Sequence, residues 1–376
     1  MEQVGLGWLV FEITDSPFMV GVSSAARMAP FFFLGILSGA VADRVNRQTA
    51  LRIITVSSII GPGLMALLLL TRDIPDVQVW YVIALAVAMG AVWAFSQTIR
   101  QAYIYDVVGR KLALSGLSMA GVSQMFGQMV GAILAGALIG YVSVGGQYLF
   151  AGGTYLAAFV VLLGIRKVAQ EDLTQREPVL QQLMGYIRLL RGNRTLLTLM
   201  CVTAVIEIFG FTHQSLLPVF AKDELGVGAV GLGIILAVRR GGGVFGLMLL
   251  ASLEDFRRNG VLLFASAIAF GLGQMAFSLG GGIVLFLIVL AFVNACATTV
   301  DTLHKTLMQS NVLDEQRGRA MGSWVLSIGV APVGHIGLGA MAGVLGAPGA
   351  LLVNGGVLTF VAVTAALGLP SMRRLE

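Results

Sequence analysis

Four charged residues lie near the middle of long apolar stretches of this chain: Arg27, Glu207, Arg239 and Arg240. A charge inside a membrane is costly and usually serves a ligand or an ion. A carboxylate in such a place can carry a proton, and a guanidinium group can bind an anion. These residue types therefore indicate Glu207 as a proton carrier and Arg27, Arg239 and Arg240 as contacts for an anionic substrate.

The same residues also have a purely structural interpretation. Glu207 can form a static ion pair with Arg239 or Arg240 on the next helix, and Arg27 can be a structural cation that caps a helix. The sequence leaves both interpretations open.

Uncharged polar residues also interrupt the apolar stretches. Gln128 and Asn294, with Gln97 and Gln124, can line a cavity or form hydrogen bonds between helices. His213 and His335 lie near predicted helix ends, where a hydrogen-bonded structural role is the expected one.

The composition indicates a membrane protein that has lipid as its solvent. Of its 376 residues, 57% are hydrophobic and 11% are charged, whereas about 25% are charged in an ordinary soluble domain. The net charge of +5 comes from short clusters between apolar stretches, so no nucleic-acid partner is predicted. Cys201 and Cys296 lie in apolar stretches, so neither a disulfide framework nor a metal site is expected, and no cofactor is expected.

Eleven apolar stretches are long enough to span a bilayer as helices, which takes about 20 residues each. A shorter stretch, Val4 to Ile13, precedes them, and we interpret it as an incomplete first helix of a chain that starts further upstream. The sequence thus predicts an all-α membrane protein with twelve helices. The eleven predicted spans are residues 18–42, 50–71, 77–98, 113–138, 147–165, 196–220, 227–251, 260–280, 283–303, 320–345 and 349–369.

The basic residues of the loops alternate between the two sides of the membrane. One side carries 19 Lys and Arg residues and the other only Arg72 and Lys222, with three arginines inside spans. Loops rich in Lys and Arg stay in the cytoplasm. Both termini are therefore predicted to be cytoplasmic, in a multi-pass protein of the bacterial plasma membrane.

The chain divides into two similar halves. Residues 1–166 and 196–376 each hold six predicted helices, and residues 167–195 form a polar cytoplasmic linker with an interfacial helix. A shift of 212 residues superposes Gly21 on Gly233 and Arg27 on Arg239. Internal repeats of this kind are typical of duplicated transporter halves.

Charged residues follow the second predicted helix in a conspicuous cluster. The stretch GAVADRVNRQ holds Gly39, Asp43, Arg44 and Arg47, and the second half has a partial copy at Asp255, Arg257 and Arg258. A carboxylate at a helix end can bind the positive end of a neighbouring helix. We predict that Asp43 docks on the start of the span at residues 320–345, beside Arg317 and Arg319. This contact would be a latch that stabilises the outward-open state.

The GAVADRVNRQ stretch resembles the loop signature of the major facilitator superfamily, with Asn46 in place of its glycine. The runs GWLVFEITDSPFMVGVSSAARMAPFFFLGILSGAVADRVNR and DEQRGRAMGSWVLSIGVAPVGHIGLG are similar to the enterobactin-exporter-like branch of drug and siderophore exporters. Helix 5 departs from such exporters, because GQMVGA lacks their proline.

The resemblance implies a twelve-helix fold of two pseudo-symmetric six-helix bundles and transport by alternating access. It further implies a proton-coupled exporter, an antiporter, of a small amphipathic or anionic molecule, with a monomer as the expected state. A transport-dead or truncated paralogue and an importer are the alternatives. No HExxH, GxSxG or phosphate-loop motif favours a membrane enzyme or a nucleotide-driven pump.

Overall fold

The computed structural model of the chain describes residues 1–42, 45–71, 77–165, 190–253, 258–313, 316 and 324–375. The predicted all-α architecture is confirmed for this part of the chain, which holds no strand. Ten helical segments are long and apolar enough to cross a membrane. The predicted latch residues Asp43, Arg317 and Arg319 lie outside the described residues, as do Arg44, Asp255 and Arg257.

The first five helices form the N-terminal half and the next six the C-terminal half. The first set is α1 (Glu2–Thr14), α2 (Pro17–Ala42), α3 (Arg47–Thr71), α4 (Val79–Tyr141) and α5 (Val144–Gly164). The second set is α6 (Arg194–Phe209), α7 (Gly228–Ser252), α8 (Asn259–Ala276), α9 (Gly282–Ser310), α10 (Ala331–Gly368) and the short α11 (Pro370–Arg373).

Two of these helices are kinked, and each contains two of the predicted spans. Gly109 in α4 has φ 73° and Gly346 in α10 has φ 71°, a backbone conformation that favours glycine. The first limb of α4 runs from Val79 to Gly109, so the predicted helix end at residue 98 is wrong. Arg100, predicted in a loop, therefore lies inside a membrane span.

The predicted span over residues 196–220 is broken rather than continuous. Helix α6 ends at Phe209, and a 3₁₀ turn (Phe211–Leu216) and a π turn (Phe220–Glu224) continue the path. Gln274 of α8 donates hydrogen bonds to the carbonyl oxygens of Phe209 (3.1 Å) and Gly210 (3.0 Å). Asn354 of α10 also donates to Phe209. These side chains satisfy the backbone groups that the break leaves without helical partners, as a nonpolar membrane requires.

Glycines bring the two halves into backbone contact. A methyl group added to Gly21 of α2 would lie 3.2 Å from the Cα of Gly339 in α10. One added to Gly136 of α4 would lie 2.8 Å from the Cα of Gly233 in α7. Gly21 and Gly233 are the pair that the 212-residue shift superposes, so equivalent glycines occupy equivalent crossings between the halves.

Candidate transport site

For orientation we call the membrane side with the loops rich in Lys and Arg the basic side and the other the opposite side. Helix α2 and the first limb of α4 end at the basic side, whereas the second limb of α4 ends at the opposite side. Helix α7 begins at the opposite side. The described charged and polar residues between these ends form three clusters.

The central cluster begins with Arg27 in the interior of α2. Its Nη2 lies 3.1 Å from a carboxylate oxygen of Glu2 in α1, so Arg27 pairs with an acid and does not cap a helix. The Tyr148 hydroxyl donates to the Glu2 carbonyl oxygen at 3.4 Å, and Tyr155 lies close enough to interact with both Glu2 and Arg27. The Glu2 side chain is therefore held between α2 and α5.

The C-terminal half adds Arg240 to this cluster, and Arg239 precedes it on α7. Arg239 is buried and donates a hydrogen bond to the side-chain oxygen of Gln214. Arg240 has no hydrogen-bond or ion-pair partner among the described residues. Arg27 and Arg240 both lie close to Met1 at the start of α1. Cations from both halves thus converge on one place.

The static pair of Glu207 with Arg239 or Arg240 is wrong for the described structure. Glu207 is 7% exposed on α6 and makes no ion pair with any described residue. The charged groups that act on it most strongly are Asp301 and Lys305 of α9. The reason is geometric, because α9 packs against both α6 and α7, whereas α6 and α7 do not pack extensively against each other.

Asp301 and Lys305 complete the second cluster. Their side chains pair at 2.7 Å across one helical turn, and the Lys305 Nζ lies 4.2 Å above the centre of the Trp324 ring. Lys305 was expected in a loop, but α9 continues to Ser310. Glu207 thus faces an acid whose charge is already balanced by a lysine.

The third cluster surrounds Arg100 on the first limb of α4. Its Nη2 donates to the side-chain oxygens of Gln97 (2.6 Å) and Gln124 (2.5 Å). Gln124 lies on the second limb, so Arg100 joins the two limbs. Gln97 and Gln124 therefore serve as hydrogen-bond partners of a cation.

The remaining polar candidates have different surroundings. Asn294 is buried and donates to the Leu290 carbonyl oxygen of its own helix at 2.9 Å. Gln128 is half-buried, one turn beyond Gln124, with no partner among the described residues. A nitrogen of the buried His213 ring lies 2.8 Å from the Gly210 carbonyl oxygen, and His335 is 2% exposed at the start of α10.

The loop signature is only partly described. Gly39 lies in α2, and Arg258 is the residue before α8. The Arg47 Nη1 lies 2.6 Å from Asp106 near the end of the first limb of α4, and both side chains are buried. Arg47 thus joins α3 to α4 within the N-terminal half, on the basic side.

One ion pair among the described residues joins the two halves. The Lys222 Nζ lies 3.0 Å from the Asp15 carboxylate on the opposite side and 4.7 Å from the centre of the Phe11 ring. The glycine crossings between α2 and α10 and between α4 and α7 lie on the same side. These contacts hold the halves together there.

Sequence reasoning missed five of these charged residues. Glu2, Asp106 and Asp301 were not considered, and Arg100 and Lys305 were assigned to loops. The available signal was the same for all five, namely a charged residue inside or close to an apolar stretch. None of the described residues form a group of His, Cys, Asp and Glu that can hold a metal ion.

A polytopic helical protein whose two halves meet around buried cations has the architecture of a membrane transporter. The transmembrane secretion effector family matches the chain over residues 1–376. The chain belongs to this family, and it is a transporter of the major facilitator superfamily rather than an enzyme.

Two curated relatives and one solved structure are similar to this chain. It is 23% identical over 355 residues to the staphyloferrin A transporter of Staphylococcus aureus (strain NCTC 8325 / PS 47), covering 92% of this chain and 86% of the relative. It is 23% identical over 336 residues to the enterobactin exporter EntS of Shigella flexneri, covering 88% and 78%. Its fold is similar to the nucleoside transporter NupG, with a TM-score of 0.73 at 14% identity, covering 100% of this chain and 97% of NupG.

Proposed function

We propose that this protein exports a small amphipathic or anionic molecule of the siderophore or drug type across the bacterial plasma membrane, driven by protons. Both curated relatives are named for a siderophore, and one of them is called an exporter. This supports the cargo class and the direction, and alternating access of the two halves supplies the mechanism.

The observation that carries this proposal is the convergence of arginines from both halves. Arg27 of α2 and Arg240 of α7 both lie near Met1 at the start of α1, and Arg239, the neighbour of Arg240 in sequence, is buried and bonded to Gln214. Glu2 balances one of these charges. The surplus of positive charge in a low-dielectric site favours an anionic group of the cargo, and contacts from both halves let the cargo sense their relative movement.

Glu207 is the proposed proton carrier. Its carboxyl group has no ion-pair partner among the described residues and is almost fully buried. The neighbouring Asp301 and Lys305 form a pair of their own, so a proton on Glu207 changes the net charge of this cluster. A change of buried charge between two conformations is the physical basis of coupling.

The proposed topology places the basic side and both termini in the cytoplasm. Residues 1–166 and 196–376 then form two six-helix bundles, joined by a cytoplasmic linker at 167–195. The ion pair of Lys222 with Asp15 and the two glycine crossings between the halves lie on the opposite side, as in an inward-open state, while Phe32 of α2 packs against Gly329 nearer the basic side. In the outward-open state, Asp43 closes the basic side on the start of the helix predicted over residues 320–345.

The test is accumulation of labelled siderophores and drugs in export-deficient bacteria that express the chain, with and without a protonophore. We expect lower accumulation that the protonophore abolishes, and loss of export in Arg27→Gln and Arg239→Gln. Glu12→Gln is the control, because Glu12 is exposed on α1. Higher accumulation than in control cells indicates an importer, and no change with protein present in the membrane contradicts export of the tested compounds.

A further inference from the structure

We propose that Arg100, with Gln97 and Gln124, forms a second anion subsite that binds a carboxylate group of the cargo. The inference rests on the proposed function, because it assigns a further contact for the same anionic cargo. The sequence predicted Arg100 in a loop outside the membrane, whereas the structure places it within the first limb of α4.

The hydrogen bonds of Arg100 orient its guanidinium group without neutralising it. Both bonds use Nη2, and both acceptors are uncharged amide oxygens, at 2.6 Å on Gln97 and 2.5 Å on Gln124. The N–H groups of Nε and Nη1 have no partner among the described residues, and neither nitrogen is sealed from solvent. These donors are fixed in direction and free to bind a ligand.

Arg100 differs from two other arginines of the N-terminal half because it has no acid partner among the described residues. Arg27 pairs with Glu2 and Arg47 pairs with Asp106, whereas no described acid pairs with Arg100. Arg100 is half-buried, and a charge drawn partly out of water without a counter-charge is costly unless a ligand supplies one. A carboxylate is the matching group, because its bonds to a guanidinium are charge-assisted.

The subsite lies between the central cluster and the basic side. Gly90 of α4 packs against the backbone of Arg27, and Arg100 follows ten residues later on the same helix, which is about 15 Å along the axis. Tyr155 is close to both Arg27 and Arg100. A cargo with anionic groups at two positions can therefore contact Arg100 first and the central cluster next.

The experiment measures equilibrium binding of radiolabelled citrate, a compact carboxylate probe, to the purified full chain. We expect Arg100→Gln to raise the Kd about tenfold or more, which corresponds to about 1.4 kcal/mol. Arg194→Gln is the matched control, because Arg194 is an exposed arginine at the start of α6. Triethyl citrate, which lacks the charges, should not compete.

A second variant separates loss of binding from loss of folding. Gln124→Glu keeps an oxygen beside Nη2 but supplies a carboxylate, so it should abolish citrate binding while raising the melting temperature. Wild-type affinity in Arg100→Gln or Gln124→Glu, or no citrate binding by the unaltered chain, overturns the subsite. If export depends on Arg27 but citrate binding does not depend on Arg100, the subsite is overturned and the proposed function stays intact. If citrate binding depends on Arg100 but the chain exports nothing, only the proposed function is contradicted.

Discussion

The Nζ of Lys222 lies 3.0 Å from the Oδ1 of Asp15, and this pair ties the π turn after α6, in the C-terminal half, to the turn between α1 and α2. Its side chains are 36% and 79% exposed, so it contributes at most about 1 kcal/mol. We expect Asp15→Asn to shift the population open on the opposite side by up to about fivefold.

Distances between spin labels across that side measure the shift, which should shrink at high salt. Asp15→Lys combined with Lys222→Asp should restore the balance, and an unchanged distance distribution in Asp15→Asn would show that the pair is incidental.

The glycine crossing of α4 and α7 should be intolerant of any side chain. A methyl group at Gly233 would lie 2.8 Å from the Ala132 carbonyl oxygen and 3.0 Å from the Cα of Gly136, and backbone atoms have little freedom to move. We expect Gly233→Ala to push the helices apart and to cost about 1–3 kcal/mol. Gly241→Ala on the same helix is the control, because a methyl group there has no atom within 4 Å. Transport and thermal stability measure the difference, and equal behaviour of the two variants would contradict this role for the crossing.

The buried pair of Arg47 and Asp106 should be a stability element of the N-terminal half. Asp106→Asn removes the counter-charge and leaves the Arg47 guanidinium in a buried site, which costs about 3–5 kcal/mol in comparable pairs. We expect a clear fall in the melting temperature of the purified protein. Asp301→Asn is a useful comparison, since its pair with Lys305 is more exposed and its loss should cost less. A melting temperature unchanged by Asp106→Asn would exclude the stabilising role.

Glu207→Gln should separate transport from the proton gradient. The amide keeps the shape of the side chain but holds no titratable proton, so we expect accumulation in cells to lose its dependence on the protonophore. Downhill exchange of the cargo in proteoliposomes should persist, because the arginines of the central cluster are unchanged. Protonophore-sensitive export at the wild-type rate in Glu207→Gln would remove this residue from the coupling role.

A substitution at Asp43 should shift the conformational equilibrium in the opposite direction to a substitution at Asp15. Asp43→Lys should weaken closure of the basic side and so enrich the inward-open state, with an effect of about 1 kcal/mol, as is general for ion contacts that water can reach. Reactivity of a cysteine placed on the basic side measures the shift. If neither transport nor that reactivity changes, the latch is not part of the mechanism.

Much of the fold can be predicted from the sequence because the bilayer imposes it. Apolar length predicts the spans, and the alternation of loop charges predicts their order across the membrane. The exceptions are informative. The first limb of α4 continues past residue 98 to Gly109, because the side chains of Gln97 and Gln124 bond the Arg100 guanidinium and so let the helix carry this charge. The break after Phe209 depends on Gln274 and Asn354, which are distant in sequence.

The sequence by itself determined the class of protein, the number of helices and which charges lie within apolar stretches, since these follow from composition, length and local pattern. Only the tertiary structure decided which of those charges are partnered. Glu2 satisfies Arg27, Asp106 satisfies Arg47, and Glu207 faces the pair of Asp301 and Lys305. Arg100 and Arg240 have no acid partner among the described residues. The physical reason is that an ion pair depends on distances of a few ångströms between helices, and packing sets those distances independently of spacing along the chain.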